Sequence, residues 1–286
     1  MADVQFLATQ ERLARHTSFR IGGPAEFFFR PETRPELIRT ICRCRRAGMP
    51  VRLLGAGTNL LVSDRGVSGA VLATSHVRQI EQSGDTISAE CGARLSRLIA
   101  ISAGSGLSGL EALAGIPGSL GGAIAMNAGT NRGCIGDVVA DVTVLTPVGE
   151  LEVLQPREIG FGYRSTKLAG SAVLSATLKL RPSSERNVRS AVRQNLRVKA
   201  ASQPLGEPSA GCVFRNPEGD HAARIIDGLG LKGRTVGGAR VSEKHANFIV
   251  NLGWATAADV LELIEIVRNA VLAARQISLE LEIEVW

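Results

Sequence analysis

The sequence predicts an α+β chain built from more than one lobe, and three observations carry that expectation. Its 286 residues exceed the ~100–150 that one ordinary domain uses. Short apolar runs separated by glycine turns recur between positions 51 and 180 and read as strands. Helical periods of apolar residues stand at 33–48, 185–201 and 256–275.

In chain order, residues 33–48 place Leu37, Ile38 and Ile41 on one face and end on Gly48, a helix with its stop signal. The apolar run Val51-Arg52-Leu53-Leu54 completes half of a βα unit. Strand-like runs follow at 60–62, 70–73, 86–89, 138–145 and 172–180. Pro182-Ser183-Ser184 is a predicted boundary, because composition then shifts to a basic helical stretch at 185–201 that ends before Gln203-Pro204. Beyond it come a glycine-rich segment, a helix over 256–275 with Val260, Ile264, Val267 and Val271 on its apolar face, and a final strand at 279–285. The predicted lobes are 1–75, 76–183 and 184–286, with no internal repeat.

A composition of 44% hydrophobic, 21% charged and 4% aromatic residues is that of a soluble chain packed by aliphatics. No stretch approaches the ~18–20 apolar residues of a membrane span. The first ten residues carry Asp3 and neither a basic nor an apolar run, so a cytoplasmic location without a leader is expected. The five cysteines (Cys42, Cys44, Cys91, Cys134, Cys212) are scattered and odd in number, which predicts reduced thiols and no metal. A net charge of +6 is compatible with nucleic acid, an anionic small molecule or solubility alone. The basic residues are dispersed and lack interleaved aromatics for base stacking, so no nucleic-acid partner is expected. A phosphate-rich ligand and a solvated face remain.

Two segments are rich in glycine. Leu54-Gly55-Ala56-Gly57-Thr58-Asn59-Leu60 follows an apolar strand, where glycines bring backbone N–H groups close to a phosphate. It is not a Rossmann fingerprint, which needs a third glycine where Leu60 stands and then a helix. Gly115-Ile116-Pro117-Gly118-Ser119-Leu120-Gly121-Gly122-Ala123 carries four glycines in nine residues, too many for a helix interior. Either loop alone is also readable as a tight turn; two together point to a dinucleotide.

The chain resembles the UDP-N-acetylenolpyruvoylglucosamine reductases, the MurB family, in its shorter type II form. The resemblance runs from Thr17-Ser18-Phe19-Arg20-Ile21-Gly22-Gly23-Pro24-Ala25 through both glycine loops. It continues in Met126-Asn127-Ala128-Gly129, Tyr163-Arg164-Ser165, Ala210-Gly211-Cys212-Val213-Phe214-Arg215-Asn216-Pro217, Val241-Ser242-Glu243-Lys244-His245-Ala246-Asn247-Phe248 and Leu281-Glu282-Ile283-Glu284-Val285. It implies a two-lobed FAD-binding domain of the vanillyl-alcohol-oxidase/PCMH type, residues 1–75 and 76–183, plus a C-terminal α+β substrate domain. It also implies NADPH as co-substrate and a UDP-sugar substrate; FAD is expected to be noncovalent because neither glycine loop carries a histidine or cysteine to tether it, and the sequence does not reveal the oligomeric state, for which a monomer is expected. The implied reaction is reduction of an enolpyruvyl ether in peptidoglycan precursor synthesis.

Three residues match the family's catalytic groups. Arg164 corresponds to the arginine that meets the substrate carboxylate; without the family frame it reads as a surface-paired arginine. Glu284 corresponds to a C-terminal glutamate that assists the enolate-like intermediate, whereas spacing alone makes Glu280, Glu282 and Glu284 one solvated face of a strand. Cys212 stands where the family commonly has a serine as proton donor. A thiol, with an ordinary pKa near ~8.5, is a stronger acid than an alcohol, although a cysteine is more often an inert core residue. Tyr163, Asn216, Gln203 and Lys199 are implied substrate contacts, with Arg197 and Lys244 further candidates for the pyrophosphate. His245 reads as structural. Two rivals remain: an FAD-linked oxidase of the same superfamily, and a nonenzymatic UDP-sugar-binding homologue.

Overall fold

The computed structural model describes residues 6–168 and 170–286. Part of the N-terminal stretch expected to lack a leader, residues 1–5, and Ala169 lie outside it. Contacts divide the chain into two compact units that interleave in sequence. One holds residues 28–56 and 69–199 with the described residues before Thr9; the other holds 9–27, 57–68 and 200–286.

In the first unit, helix α1 (Arg34–Arg46) starts where Thr33 Oγ1 accepts the Glu36 N–H at 3.3 Å, a side-chain N-cap. It buries Leu37, Ile41 and Cys44. Strand Val51–Leu54 then pairs in parallel with residues 70–73. Helix α2 (Leu95–Gly104) carries buried Leu95, Leu98, Ile99, Ser102 and Ala103, a helical stripe that the sequence reading missed because Arg94 supplies no side-chain cap. Helices α3 (Leu120–Ala125) and α4 (Pro156–Ile159) follow. A five-stranded antiparallel sheet runs in the order Leu151–Leu154, Val139–Leu145, Ala172–Lys179, Thr86–Glu90, Ile80–Ser83. Its register sets Val142 opposite Ala176 and Thr177 opposite Ser88, and its core face carries the fully buried Val142, Val144, Leu174 and Leu178. Helix α5 (Glu185–Ser202) stays with this unit through Lys199, since Val188 is buried and Val192 packs against the same core.

The second unit has its own core of Phe19, Phe214, Ile226, Val241, Val260 and Ile264 with their neighbours. It contains helices α6 (Ala222–Gly228) and α7 (Ala257–Arg275) and a three-stranded antiparallel sheet, Thr235–Val236, Ala239–Val241, Ile249–Asn251. The start of α7 is doubly capped. Thr256 and Asp259 form a capping box, and the Asp64 carboxylate accepts the N–H groups of Ala257 and Ala258 at 2.8 and 3.1 Å, placing negative charge at the positive end of the helix. The final segment keeps the expected alternation only in part: Leu279 and Ile283 are buried and Glu280 and Glu284 exposed, but Leu281 and Glu282 are both half-buried and Val285 is exposed. Regular pairing, however, is confined to Glu284–Val285 beside Leu60–Leu61. The segment changes partner on the way: Arg215 N–H donates to Glu280 O, Glu282 N–H to Val213 O, and Glu284 N–H to Asn59 O. No helix among the described residues is long and apolar enough to cross a membrane.

Candidate active site

Strand Val51–Leu54 delivers the chain to the first glycine loop. A Cβ on Gly55 would collide with Ser119 Oγ, so the second loop lies directly against this position. Gly57, at φ +63°, packs its backbone on the His16 carbonyl, and its own carbonyl accepts the Ser18 N–H at 2.9 Å. Ala56 ends the first unit's part of the loop; Gly57, Thr58, Asn59 and Leu60 belong to the second.

In the second loop, Gly115 adopts φ +77°, and a Cβ there would lie 3.0 Å from Lys199 Cδ. Only glycine suits both the left-handed backbone and the lysine stem across it. Ser119 caps α3 by accepting the Gly122 N–H. The Gly121 N–H is already spent on Cys91 O at 2.8 Å, and a Cβ at 121 would come within 2.9 Å of Cys91 Cβ. Close packing accounts for that glycine. Within the first unit, Gly55, Ser119, Gly121 and Gly122 of the two loops line a cavity of about 260 Å³ together with Arg45, Thr74 and residues 170–173. No carboxylate is among the described residues that line it. Cys91 also faces it, its thiol pushed up to about 12 chiefly by burial.

Arg164 is presented by a tight turn. The Gly162 N–H donates to Ser165 O at 2.9 Å and the Ser165 N–H to Gly162 O at 3.4 Å, leaving Tyr163 and Arg164 at the corner. Arg164 has φ +51°, a left-handed conformation that costs a side-chain-bearing residue ~1–2 kcal/mol. Buried Asn127 braces the turn: its Nδ2 donates to Gly162 O at 2.8 Å and its Oδ1 accepts the Gly136 N–H at 3.1 Å. Arg164 Nη2 donates to Gly129 O at 2.8 Å, and the guanidinium carbon lies 5.3 Å from the centre of the half-exposed Tyr163 ring, within cation–π range.

In the second unit, Cys212 lies on an extended segment bridged to Phe248. The next residues are clamped by Asn247, only 3% exposed. Its Oδ1 accepts the Phe214 N–H at 2.9 Å, its Nδ2 donates to Phe214 O at 2.7 Å, and its own carbonyl accepts the Val213 N–H at 2.8 Å. Glu284 is exposed, with Trp286 Nε1 donating to its Oε2 at 3.4 Å. Asn216 Oδ1 accepts the Ala222 N–H at 3.1 Å at the start of α6. Gln203 O accepts the Leu205 N–H in a turn, and Lys244 Nζ donates to Ala200 O. His245 is held edge-on to Phe248, with its pKa lowered by burial first and by Lys232 second.

Tyr163, Arg164 and Lys199 thus fall in the first unit, and Gln203, Cys212, Asn216 and Glu284 in the second. The sequence reading missed the roles of Asn127 and Asn247. Both stand inside matched segments, yet a bracing asparagine is recognisable only once the backbones it joins are known. The described residues hold no group of three or more His, Cys, Asp or Glu able to bind a metal, and no disulfide joins any of the five cysteines.

Residues 25–155 match the FAD binding domain model, and 203–286 match the C-terminal domain model of UDP-N-acetylenolpyruvoylglucosamine reductase. The reductase of that name from Moorella thermoacetica is 49% identical over 279 residues, covering 97% of this chain and 92% of the relative. UDP-N-acetylenolpyruvoylglucosamine reductase 2 of Symbiobacterium thermophilum is 46% identical over 96% of this chain and 91% of the relative. The crystal structure of the Thermus caldophilus reductase superposes with a TM-score of 0.87 at 39% identity, covering 99% of this chain and 100% of that one. A Bermuda grass pollen isoallergen, 20% identical over 64% of this chain and 42% of its own, shares the fold at a TM-score of 0.52. A α+β chain that carries an FAD binding domain and this C-terminal domain, and that is nearly half identical to such a reductase over almost its whole length, belongs to the UDP-N-acetylenolpyruvoylglucosamine reductase family.

Proposed function

We propose that this chain is an FAD-dependent oxidoreductase that reduces UDP-N-acetylglucosamine enolpyruvate to UDP-N-acetylmuramate with NADPH. It would act as a cytoplasmic monomer in peptidoglycan precursor synthesis, and so in cell-wall formation, cell shape and division. Family membership over nearly the whole chain carries the reading. The lobes at 1–75 and 76–183 take the cofactor, and residues 184–286 take the substrate.

The first unit's cavity fits FAD in its chemistry. Apolar walls from Ile41, Val51, Leu53 and Val173 suit a flat ring, while the hydroxyls of Thr74, Ser119 and Ser171 and the Arg45 guanidinium supply polar contacts without a repelling carboxylate. The glycine-loop residues from Gly55 to Leu60 and from Gly115 to Ala123 hold it noncovalently. Bound FAD supplies hydride acceptance from NADPH and hydride delivery to the enolpyruvyl double bond.

The chain's own groups do the rest. Arg164, pre-oriented by its turn, meets the substrate carboxylate with a planar fork and stabilises charge that develops beside it. Cys212 gives the proton that the neighbouring carbon needs, and Glu284 assists the intermediate. Tyr163 and Asn216 contact the sugar portion, and Lys199 and Gln203 the pyrophosphate end. The test is anaerobic: NADPH should bleach the bound flavin, and the enolpyruvyl UDP-sugar should restore its colour. Bleaching that only oxygen reverses would point to an oxidase instead.

A further inference from the structure

Asn59 stands in the first glycine loop, yet its side-chain amide is turned onto the C-terminal segment. Its Nδ2 donates to Glu282 O at 3.1 Å, and its own carbonyl accepts the Glu284 N–H at 2.9 Å. One residue thus grips the two peptide units that flank Ile283. From there the chains run on in parallel, Glu284 beside Leu60 and Val285 beside Leu61. The pairing closes with the Trp286 N–H on Leu61 O at 2.9 Å and the Ser63 N–H on Trp286 O at 2.7 Å. All of these residues belong to the second unit. A ladder of two residue pairs is short against the ~5–6 residues of an ordinary strand, and the asparagine amide extends it at the end where Glu284 enters.

The same stretch is held from its other edge. The Glu282 N–H donates to Val213 O at 2.8 Å and the Arg215 N–H to Glu280 O at 2.9 Å, while Phe214 bridges to Leu281. Val213 follows Cys212, and its own N–H is taken by Asn247 O at 2.8 Å. The peptide groups of Glu282 therefore point opposite ways, N–H to the Cys212 segment and C=O to the glycine loop. One row of hydrogen bonds runs from Asn247 through Val213 and Glu282 to Asn59. It sets the spacing between the segment that carries the thiol and the segment that carries the carboxylate.

Resting on the reading of Glu284 as the group that assists the intermediate, we propose that Asn59 is a positioning residue for that glutamate. Glu284 is exposed, so its aim depends on where its backbone is held more than on packing. The Asn59 amide holds that backbone from the loop side. Without a donor there, Glu282 O loses the asparagine N–H and residues 282–284 are tied only from the Cys212 side and by the short ladder. A misplacement of about 1 Å is enough to cost ~10²-fold in rate. Aspartate keeps asparagine's size and shape but, as a carboxylate, only accepts, so against Glu282 O it repels.

The experiment is anaerobic rapid mixing of the FAD-loaded full chain, with NADPH for flavin reduction and the enolpyruvyl UDP-sugar for reoxidation. It compares the native chain, Asn59→Ala, Asn59→Asp, Glu284→Gln, and Asn59→Asp combined with Glu284→Gln. Both Asn59 variants should bind FAD and be reduced by NADPH as the native chain is, which shows that they are folded. Their limiting rate of reoxidation should fall roughly ten- to a hundredfold, while the half-saturating concentration of UDP-sugar stays unchanged. In the Glu284→Gln background the same aspartate should cost less than about twofold, because a residue that acts through another is not additive with it. FAD affinity or NADPH reduction that falls as far as reoxidation would make the side chain a cofactor contact and overturn the assignment. So would native reoxidation in both Asn59 variants, or the full loss repeated on top of Glu284→Gln. Native reoxidation in Glu284→Gln alone would instead remove the reading of that glutamate, and positioning by Asn59 with it.

Discussion

Arg164 sits at the corner of a left-handed turn, φ +51°, whereas Cys212 lies on an extended segment in which Phe214, two residues on, is hydrogen-bonded at both its N–H and its C=O by the Asn247 side chain. In the first case backbone strain is accepted so that one guanidinium points in a fixed direction, and Asn127 and Gly129 hold it there. In the second no strain is present and rigidity comes from a buried amide that satisfies a neighbour's backbone. An asparagine is the brace in both, because its side chain both donates and accepts. The difference predicts that the two positions respond differently to substitution.

The largest effect belongs to Cys212. Cys212→Ala should slow flavin reoxidation by the UDP-sugar by ~10²–10⁴-fold, the usual worth of a general acid, with NADPH reduction unchanged, and Cys212→Ser should retain much more activity. Alanine-variant reoxidation at the native rate would make the thiol a packing group. Next comes its brace. Asn247→Ala leaves two buried backbone groups of Phe214 without their partner, at about 1–3 kcal/mol each; denaturant unfolding should show that loss. A stability within error of native would mean that water replaces the amide.

The strained turn yields a smaller and more specific difference. Arg164→Gly and Arg164→Ala both lose the side chain and its bond to Gly129, yet glycine also relieves the left-handed backbone. The glycine variant should therefore be the more stable by about 1 kcal/mol, while both lose turnover. Equal stabilities would show that the turn relaxes in the alanine variant. The smallest effect concerns His245, next to the Asn247 brace. Its folded pKa is lowered by burial and then by Lys232, so the unfolded chain takes up the proton first as pH falls. Its contribution is complete above the ordinary histidine value and is lost as pH drops from there toward the folded value. Between pH 7 and 5, His245→Gln should lose less stability than the native chain; parallel curves would contradict this.

Features set by local chemistry were legible in the sequence. The helices starting at Thr33 and Thr256 announce themselves by caps and apolar periods, and the two glycine loops by composition. Strand Pro24–Phe29 was hidden by its proline, which demotes a run as a strand, and α2 by its missing cap. The interleaving of the units was not legible, because it depends on contacts between distant residues: residues 57–68 join 200–286 through pairings such as Leu60 with Glu284. The same holds for Asn59, one more polar residue of a glycine loop until the carbonyl of Glu282 is placed beside it.

The central claim is that the matched residues serve the family's reduction, with Arg164 acting on the UDP-sugar and not on the cofactor. Rapid mixing of Arg164→Lys tests it most directly, following the flavin through both half-reactions. Reduction by NADPH should proceed at close to the native rate, while reoxidation by the enolpyruvyl UDP-sugar should slow by ~10²–10³-fold, the loss expected when a preorganised charge-stabilising donor is removed. An equal loss in both half-reactions, or loss of bound FAD, would contradict it.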